Sequence, residues 1–315
     1  MANTATLKSL KPQVRAPIAD MPAPAPTHLF AMLSHRGRVR HANQDACAAL
    51  PERGIFVICD GMGGAAGGEV ASHLASEAFL HALSQPASRT HCRIPSHPAP
   101  DSLEPGPNSL ESAANPYPAA HPHTRLAEAV RAANNAVFRH SRKSPKLHGM
   151  GTTLVALLLE DEGHSRAAAR TWKQAPDGSA APLWLVHVGD SRCYRLRHGV
   201  LHQLTRDHSL VEEQVNAGLL SRIQAVASPF RNIITRAVGT EPTVEPEIAS
   251  HSTQPGDLYL LASDGLTREL DDAEILAILA RTASLALEPA CQALIDAANA
   301  HGGRDNITVL LVSCP

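Results

Sequence analysis

Aromatic side chains are scarce in this sequence, at 3% of 315 residues. So thin a supply cannot build the stacking platforms on which single-stranded nucleic acid is held. Excess charge of either sign is also missing, because 28 Lys and Arg against 30 Asp and Glu leave a net charge of −2. Without a basic surplus there is no electrostatic footprint for DNA, RNA or anionic lipid. No apolar run reaches the ~18 residues of a membrane-spanning helix, and Met1–Pro26 lacks the short apolar core of a secretory leader. The six cysteines (Cys47, Cys59, Cys92, Cys193, Cys291 and Cys314) form no CxxC pair and read as free thiols. Together these absences predict a cytoplasmic protein that engages neither nucleic acid nor membrane; the chain is also expected to be a monomer, which the composition does not itself establish.

What is present is ordinary for a folded enzyme: 43% hydrophobic and 18% charged residues, in a chain long enough for a sizeable core. Residues 1–26 are rich in Ala and Pro without periodicity and predict a disordered tail. A second such stretch, 86–122, carries Pro95, Pro98, Pro100, Pro105, Pro107, Pro116 and Pro118. Proline removes backbone donors and fixes φ, so neither helix nor sheet propagates there. This stretch and a shorter polar one at 160–182 read as insertions in a single domain over 27–315.

The remainder alternates strands and helices. Gly54–Cys59, Thr153–Leu159, Leu183–Val188, Arg192–Leu196, Asp257–Ala262 and Ile307–Val312 are short apolar runs of strand type. Helical stripes recur at Val70, Leu74, Ala78 and Ala82, at Leu126, Val130, Ala133 and Val137, and at Leu287, Cys291, Leu294 and Ala298. Only Gly189-Asp190-Ser191 separates Leu183–Val188 from Arg192–Leu196, too short for a parallel crossover, so an antiparallel hairpin is expected. The pattern predicts an α+β fold with packed, mainly antiparallel sheets flanked by helices.

Four aspartates share one setting, at the end or beginning of an apolar strand and beside small residues. They are Asp60 (Ile-Cys-Asp-Gly-Met-Gly-Gly), Asp190 (His-Val-Gly-Asp-Ser-Arg), Asp264 (Leu-Ala-Ser-Asp-Gly-Leu) and Asp305 (Gly-Gly-Arg-Asp-Asn-Ile-Thr). Singly, each Asp beside Gly reads as a turn. Brought together, they would repel one another unless cations neutralised them, and oxygen donors suit Mg²⁺ or Mn²⁺. The Gly61-Met62-Gly63-Gly64 run also meets a loose dinucleotide-binding pattern. That pattern needs a second strand ending in an acidic residue about twenty residues on, where this chain continues as helix and then turns proline-rich. Arg40, in Arg-Val-Arg-His-Ala-Asn-Gln-Asp, supplies a fork able to hold phosphate.

These segments, in this order, resemble the metal-dependent protein serine/threonine phosphatases (PPM family, protein phosphatase type two C) in their bacterial form. The resemblance is carried by Arg40 to Asp45, Asp60-Gly61-Met62-Gly63-Gly64, Gly151-Thr152-Thr153, Gly189-Asp190-Ser191-Arg192, Ser263-Asp264-Gly265 and Asp305-Asn306. It extends over about residues 29–313 and includes a flap-like segment from Leu204 to Gly239. It implies a four-layer sandwich of two sheets between helices. It also implies two Mn²⁺ or Mg²⁺ ions, with Asp60 bridging them, Asp264 and Asp305 completing the first and the Gly61 carbonyl binding the second. Asp190, with help from Asp264, matches the holder of a third, weaker ion. Arg40 matches the phosphate-binding arginine, and Asp45 would orient a metal-held water. Gln44 stands where many relatives have Glu. Met62 stands where animal members have a histidine and leaves the general acid unassigned.

The implied reaction is hydrolysis of phosphoserine and phosphothreonine on proteins by an activated water, reversing the work of a bacterial Ser/Thr kinase. No cysteine sits in a nucleophile loop of phosphatase type. Two alternatives stand beside it: a phosphoprotein-binding module on an inactive phosphatase fold, and a phosphatase of small phosphoesters. The first requires a missing metal ligand, and every ligand position is filled.

Overall fold

The computed structural model describes residues 29–85, 121–159, 182–282 and 286–314. The expected tail at 1–26 and nearly all of the expected insertions at 86–122 and 160–182 lie outside the described residues, as does Cys92. In chain order the strands are β1 (Leu29–His35), β2 (Asp45–Leu50), β3 (Ile55–Met62), β4 (Gly151–Thr152), β5 (Leu154–Leu159), β6 (Pro182–Val188), β7 (Arg192–Arg197), β8 (Val200–Gln203), β9 (Glu247–Ser252), β10 (Leu258–Ala262) and β11 (Ile307–Ser313). The helices are α1 (Gly64–Ser84), α2 (Pro122–Ser141), α3 (Leu210–Asn216), α4 (Arg222–Ala227), α5 (Asp264–Thr267), α6 (Asp272–Thr282) and α7 (Leu287–Ala300). Pro122 falls at the first helical position of α2, where its missing N–H costs nothing.

One sheet runs β1-β11-β10-β7-β8 and the other β2-β3-β5-β6-β9, with β4 added to β3. Neighbouring strands are antiparallel throughout. Successive side chains of a strand point to opposite faces, and here both faces are covered, so the central strands read as unbroken apolar runs. In β3, Phe56 and Ile58 enter the layer between the sheets, against Tyr259, Leu261 and Leu310 of the facing sheet. The alternate residues Val57 and Cys59 pack under α1 and α2 with Phe79 and Val130. On the far side, Leu260 and Leu311 pack under α6 and α7 with Ile275 and Leu294. The order is helices, sheet, sheet, helices, the four layers expected. Cys47, Cys59, Cys193, Cys291 and Cys314 are free thiols.

Two expectations are corrected. Leu183–Val188 and Arg192–Leu196 do not form a hairpin: β6 pairs with β5 and β9, whereas β7 pairs with β10 and β8 in the other sheet. Gly189 makes the crossing possible. Its φ is +105°, and a Cβ there would lie 2.6 Å from Thr153 Cγ2. The chain therefore leaves one sheet and enters the other within three residues, carrying Asp190 across the sheet edge. The buried face of α1 is also turned by one residue. Ala71, Ala75, Phe79 and Leu83 are buried, while Val70, Leu74, Ala78 and Ala82 are only partly so. Small alanines on the inner face let the helix lie close over β3, where Gly68 backs onto Gly61.

Candidate metal centre

Each candidate carboxylate is placed by a separate element at the same sheet edge. Asp60 lies in the last turns of β3 and is paired in register with Asp45 at the start of β2. Asp190 sits on the link between β6 and β7, Asp264 opens α5 directly after β10, and Asp305 precedes β11. The backbone of Asp60 is fixed by Thr152 and Thr153: its N–H donates to Thr153 Oγ1 (3.0 Å), and its carbonyl accepts from Thr153 N (2.8 Å) and Thr152 Oγ1 (2.8 Å). Thr153 Oγ1 in turn meets Ser191 Oγ at 2.7 Å, tying the Asp60 strand to the Asp190 link. Asp45 Oδ2 accepts a 2.7 Å bond from Thr308 Oγ1.

Asn306 holds the segment bearing Arg40 against this edge. Its Oδ1 accepts from the Gln44 N–H (2.8 Å), and its Nδ2 donates to the carbonyls of Arg36 and Ala42 (2.9 Å each). Arg40, about half exposed, reaches Asp305 Oδ2 with Nη2 at 2.7 Å. The structure thus brings together all the side chains expected from the sequence, Arg40, Asp45, Asp60, Asp190, Asp264 and Asp305, with Gly61 directly following Asp60 in β3.

The cluster is electrostatically costly. Burial, followed by the charges of Asp45, Asp264, Asp190 and Asp305, pushes Asp60 well above the usual carboxylate range. Burial and Asp190 do the same to Asp264, and burial raises Asp190. Asp45 is pushed up to about 6, again chiefly by burial. Asp45 Oδ1, Asp190 Oδ1 and Asp264 Oδ1 are buried without hydrogen-bond partners. Buried carboxylate oxygens without donors are expensive, and an all-oxygen set of this kind fits hard divalent cations. A carboxyl whose pKa is raised on folding binds its proton more tightly in the folded state, so it favours folding at low pH and loses that advantage as pH climbs. The metal-free chain is accordingly expected to melt at progressively lower temperature as pH rises from about 4 through about 6, the window set by Asp45. Mn²⁺ should reverse that trend; scanning calorimetry with and without Mn²⁺ checks both, and a metal-free melting temperature that rises across the window contradicts it.

One side chain at the centre escaped sequence reading. Arg268 forms ion pairs with Asp264, with Asp190 Oδ2 (3.6 Å) and with Asp305 Oδ2 (3.6 Å). The signal was its spacing four residues after Asp264, which places both on one side of a single helical turn.

His187, His208 and Glu247 also offer ligand atoms within reach of one another. The two rings are stacked at 4.6 Å and 22° from parallel, so their lone pairs lie in near-parallel planes and do not converge on one ion. Each ring has one nitrogen engaged: His187 Nε2 donates to the Arg206 carbonyl (2.9 Å), and His208 Nδ1 accepts the Gly189 N–H (3.2 Å). This pair buttresses the link that carries Asp190. No helix among the described residues is long and apolar enough to cross a membrane.

A model of the protein phosphatase 2C family matches residues 34–300. The chain belongs to that family. It is 32% identical over 280 residues to the serine/threonine phosphatase stp of Listeria monocytogenes serotype 4b (strain F2365), covering 88% of this chain and 92% of that one. Its fold is similar to that of the serine/threonine phosphatase PstP/Ppp of Mycobacterium tuberculosis, with a TM-score of 0.68 and 33% identity over 91% of this chain and 98% of that chain. A catalytic domain of the serine/threonine phosphatase PstP, solved in complex with two manganese ions, gives a TM-score of 0.65 and 32% identity over 91% and 97% of the two chains. The likeness to these solved phosphatases agrees with the two antiparallel sheets flanked by helices.

Proposed function

We propose that this 2C-family chain hydrolyses phosphoserine and phosphothreonine on proteins with the help of two Mn²⁺ or Mg²⁺ ions. The observation that carries the reading is the meeting of Asp60, Asp190, Asp264 and Asp305 at one sheet edge, with Arg40 beside Asp305. Asp60 would bridge the ions, Asp264 and Asp305 would complete the first and the Gly61 carbonyl would bind the second. Bound there, such ions supply a water acidic enough to act as a nucleophile near neutral pH and charge to offset the phosphoryl oxygens. The protein's own part is positional. Thr152 and Thr153 fix the Asp60 backbone, Asp45 faces Asp60 across the β2–β3 ladder where it can orient a water, and Asn306 presents the Arg40 segment. Arg40 holds the phosphate, trading its exposed contact with Asp305 for a bidentate grip on phosphate oxygens. A Ser/Thr kinase as biological counterpart, a cytoplasmic setting, a monomeric state and a single domain over 27–315 with insertions at 86–122 and 160–182 belong to the same proposal.

The test is turnover of a phosphothreonine peptide by the purified chain with Mn²⁺, with Mg²⁺ and with EDTA. Metal-dependent release of phosphate supports the reading. Binding of the peptide without release would favour a phosphoprotein-binding module, and release only from small aryl phosphates a phosphoesterase of small molecules.

Arg40→Ala is expected to lower kcat/KM for the peptide about a hundredfold, the scale of losing one donor to a developing anion. Mn²⁺ affinity should scarcely move, because the Arg40–Asp305 pair is exposed on the arginine side and such pairs contribute at most about 1 kcal/mol. Calorimetric loss of Mn²⁺ binding in the variant would show that Arg40 holds the site together rather than the substrate.

A further inference from the structure

β1 and β2 meet at one edge of the sandwich, so β8 and β9, the last strands of the two sheets, close the other. A bond crosses between the sheets there: Arg197 Nη2 of β7 donates to the Ser252 carbonyl of β9 (2.9 Å). The inside of this edge is basic. In β7, Cys193 faces the layer between the sheets, and alternation turns Arg195 and Arg197 the same way. His202 of β8 is paired in register with Arg195 and shares its face. In β9, His251 stands opposite Leu183, another residue of that layer. Arg197 has a carboxylate of its own, since its Nε and Nη2 reach Asp257 at 2.6 Å each. Arg195 forms no ion pair among the described residues, and its Nε is buried without a hydrogen-bond partner. His251 Nε2 is buried and unpartnered as well. Asp257, just before β10, and Glu247 of β9 are engaged elsewhere: Asp257 with Arg197 and the Tyr259 hydroxyl (3.1 Å), Glu247 with His208 (3.5 Å). Burial lowers the pKa of His251, and the charges of Arg195 and His202 lower it further.

We propose that Arg195, His202 and His251 form a binding site for a phosphate-type oxyanion, set in the β8–β9 edge and separate from the metal centre. A guanidinium N–H is always a donor, and leaving it buried and unpaired is costly. Water would satisfy the donor and leave the charge unopposed, whereas an anion does both. The donors come from both sheets, so oxygens pointing in several directions suit them better than the planar pair of a carboxylate. His202 is exposed and Arg195 and His251 are partly buried, so the site opens to solvent. It lies well away from the aspartates. β6 runs from Leu183, opposite His251, to Val188, two residues before Asp190, a span of roughly 16 Å. The site stands whether or not the centre works as proposed above, because none of its three residues belongs to that centre.

The experiment follows the imidazole NMR signal of His251, identified by its loss in H251Q. Inorganic phosphate is added to the Mg²⁺-loaded full-length chain at constant pH and ionic strength, with sodium chloride as the control. The expected result is a saturable shift in wild type that persists in R40A, where the proposed phosphate grip at the centre is gone. In R195Q, verified as folded by circular dichroism, half-saturation should rise about tenfold or more. No saturable shift in wild type, an equal shift with chloride, or unchanged half-saturation in folded R195Q overturns the proposal. A shift abolished in R40A also overturns it, because the signal would then report the metal centre. If R195Q does not fold, H202Q, altered at an exposed position, decides instead: weaker binding supports the site and unchanged binding overturns it. A phosphothreonine peptide added in EDTA, where it is not turned over, separates the two sources of the anion. A His251 shift at lower peptide than phosphate concentration assigns the site to phosphate carried on protein, and the reverse order assigns it to the free ion.

Discussion

Asp60→Asn is expected to abolish phosphopeptide turnover in a chain that remains folded. The bridging role asks for two anionic oxygens, and an amide offers one neutral oxygen. Loss of the several kcal/mol that metal ions contribute to transition-state charge corresponds to about a thousandfold or more in rate. The fold should survive because the bonds that place residue 60 are made by its backbone, to Thr152 and Thr153, and are indifferent to the side chain. In the metal-free state the variant should even melt higher than wild type. Asp60 is held above its ordinary pKa by burial and then by Asp45, Asp264, Asp190 and Asp305, so removing its charge removes a repulsion that grows with pH. The same variant should no longer gain melting temperature when Mn²⁺ is added. Peptide turnover and calorimetry on one preparation test both halves. Substantial turnover in folded D60N sinks the bridging assignment, and a lower metal-free melting temperature sinks the electrostatic account of the cluster.

The aspartates were legible in the sequence because each stands where an apolar strand gives way to small residues, a strictly local signal. Their meeting was not a local fact. It depends on strand order, and the error over β6 and β7 shows why: a three-residue link has the same length whether it turns back within a sheet or crosses to another. Only the +105° φ of Gly189 and its tight approach to Thr153 settle the direction, and neither is written in the spacing. The α1 face was misjudged for a related reason. A helix with alanine on several sides gives little periodic contrast, and Phe79 rather than the larger count of aliphatics fixes which side is buried. Arg268 was invisible for lack of context. Four residues after an aspartate it looks like an ordinary surface ion pair, and its meaning emerges only when Asp190 and Asp305 are seen on the other side of the guanidinium.

Phosphate esters with poor leaving groups are expected to react far more slowly in the chemical step than aryl phosphates, and Met62→His should narrow the gap. Met62 closes β3 opposite Gly151 of β4, beside the proposed metal ligands Asp60 and Gly61. A thioether carries no proton to donate. A positioned acid contributes about 10²–10⁴-fold when the departing alkoxide is basic, and little when it is already stable. Other acids in the neighbourhood are poorly suited. Burial pushes His208 down to about 4, so its ring is neutral at working pH, and its Nδ1 is engaged with the Gly189 N–H. His187 is likewise lowered by burial and spends its Nε2 proton on the Arg206 carbonyl. His41 is exposed, one residue from Arg40, so burial does not fix its ring against the centre. The measurement is single-turnover hydrolysis of a series of phosphate monoesters of rising leaving-group pKa, in wild type and in Met62→His. A steep dependence in wild type that flattens in the variant is the expected result. A wild-type dependence that is already flat would mean that a proton reaches the leaving oxygen by another route, and the absence of an acid at position 62 would then carry no kinetic consequence.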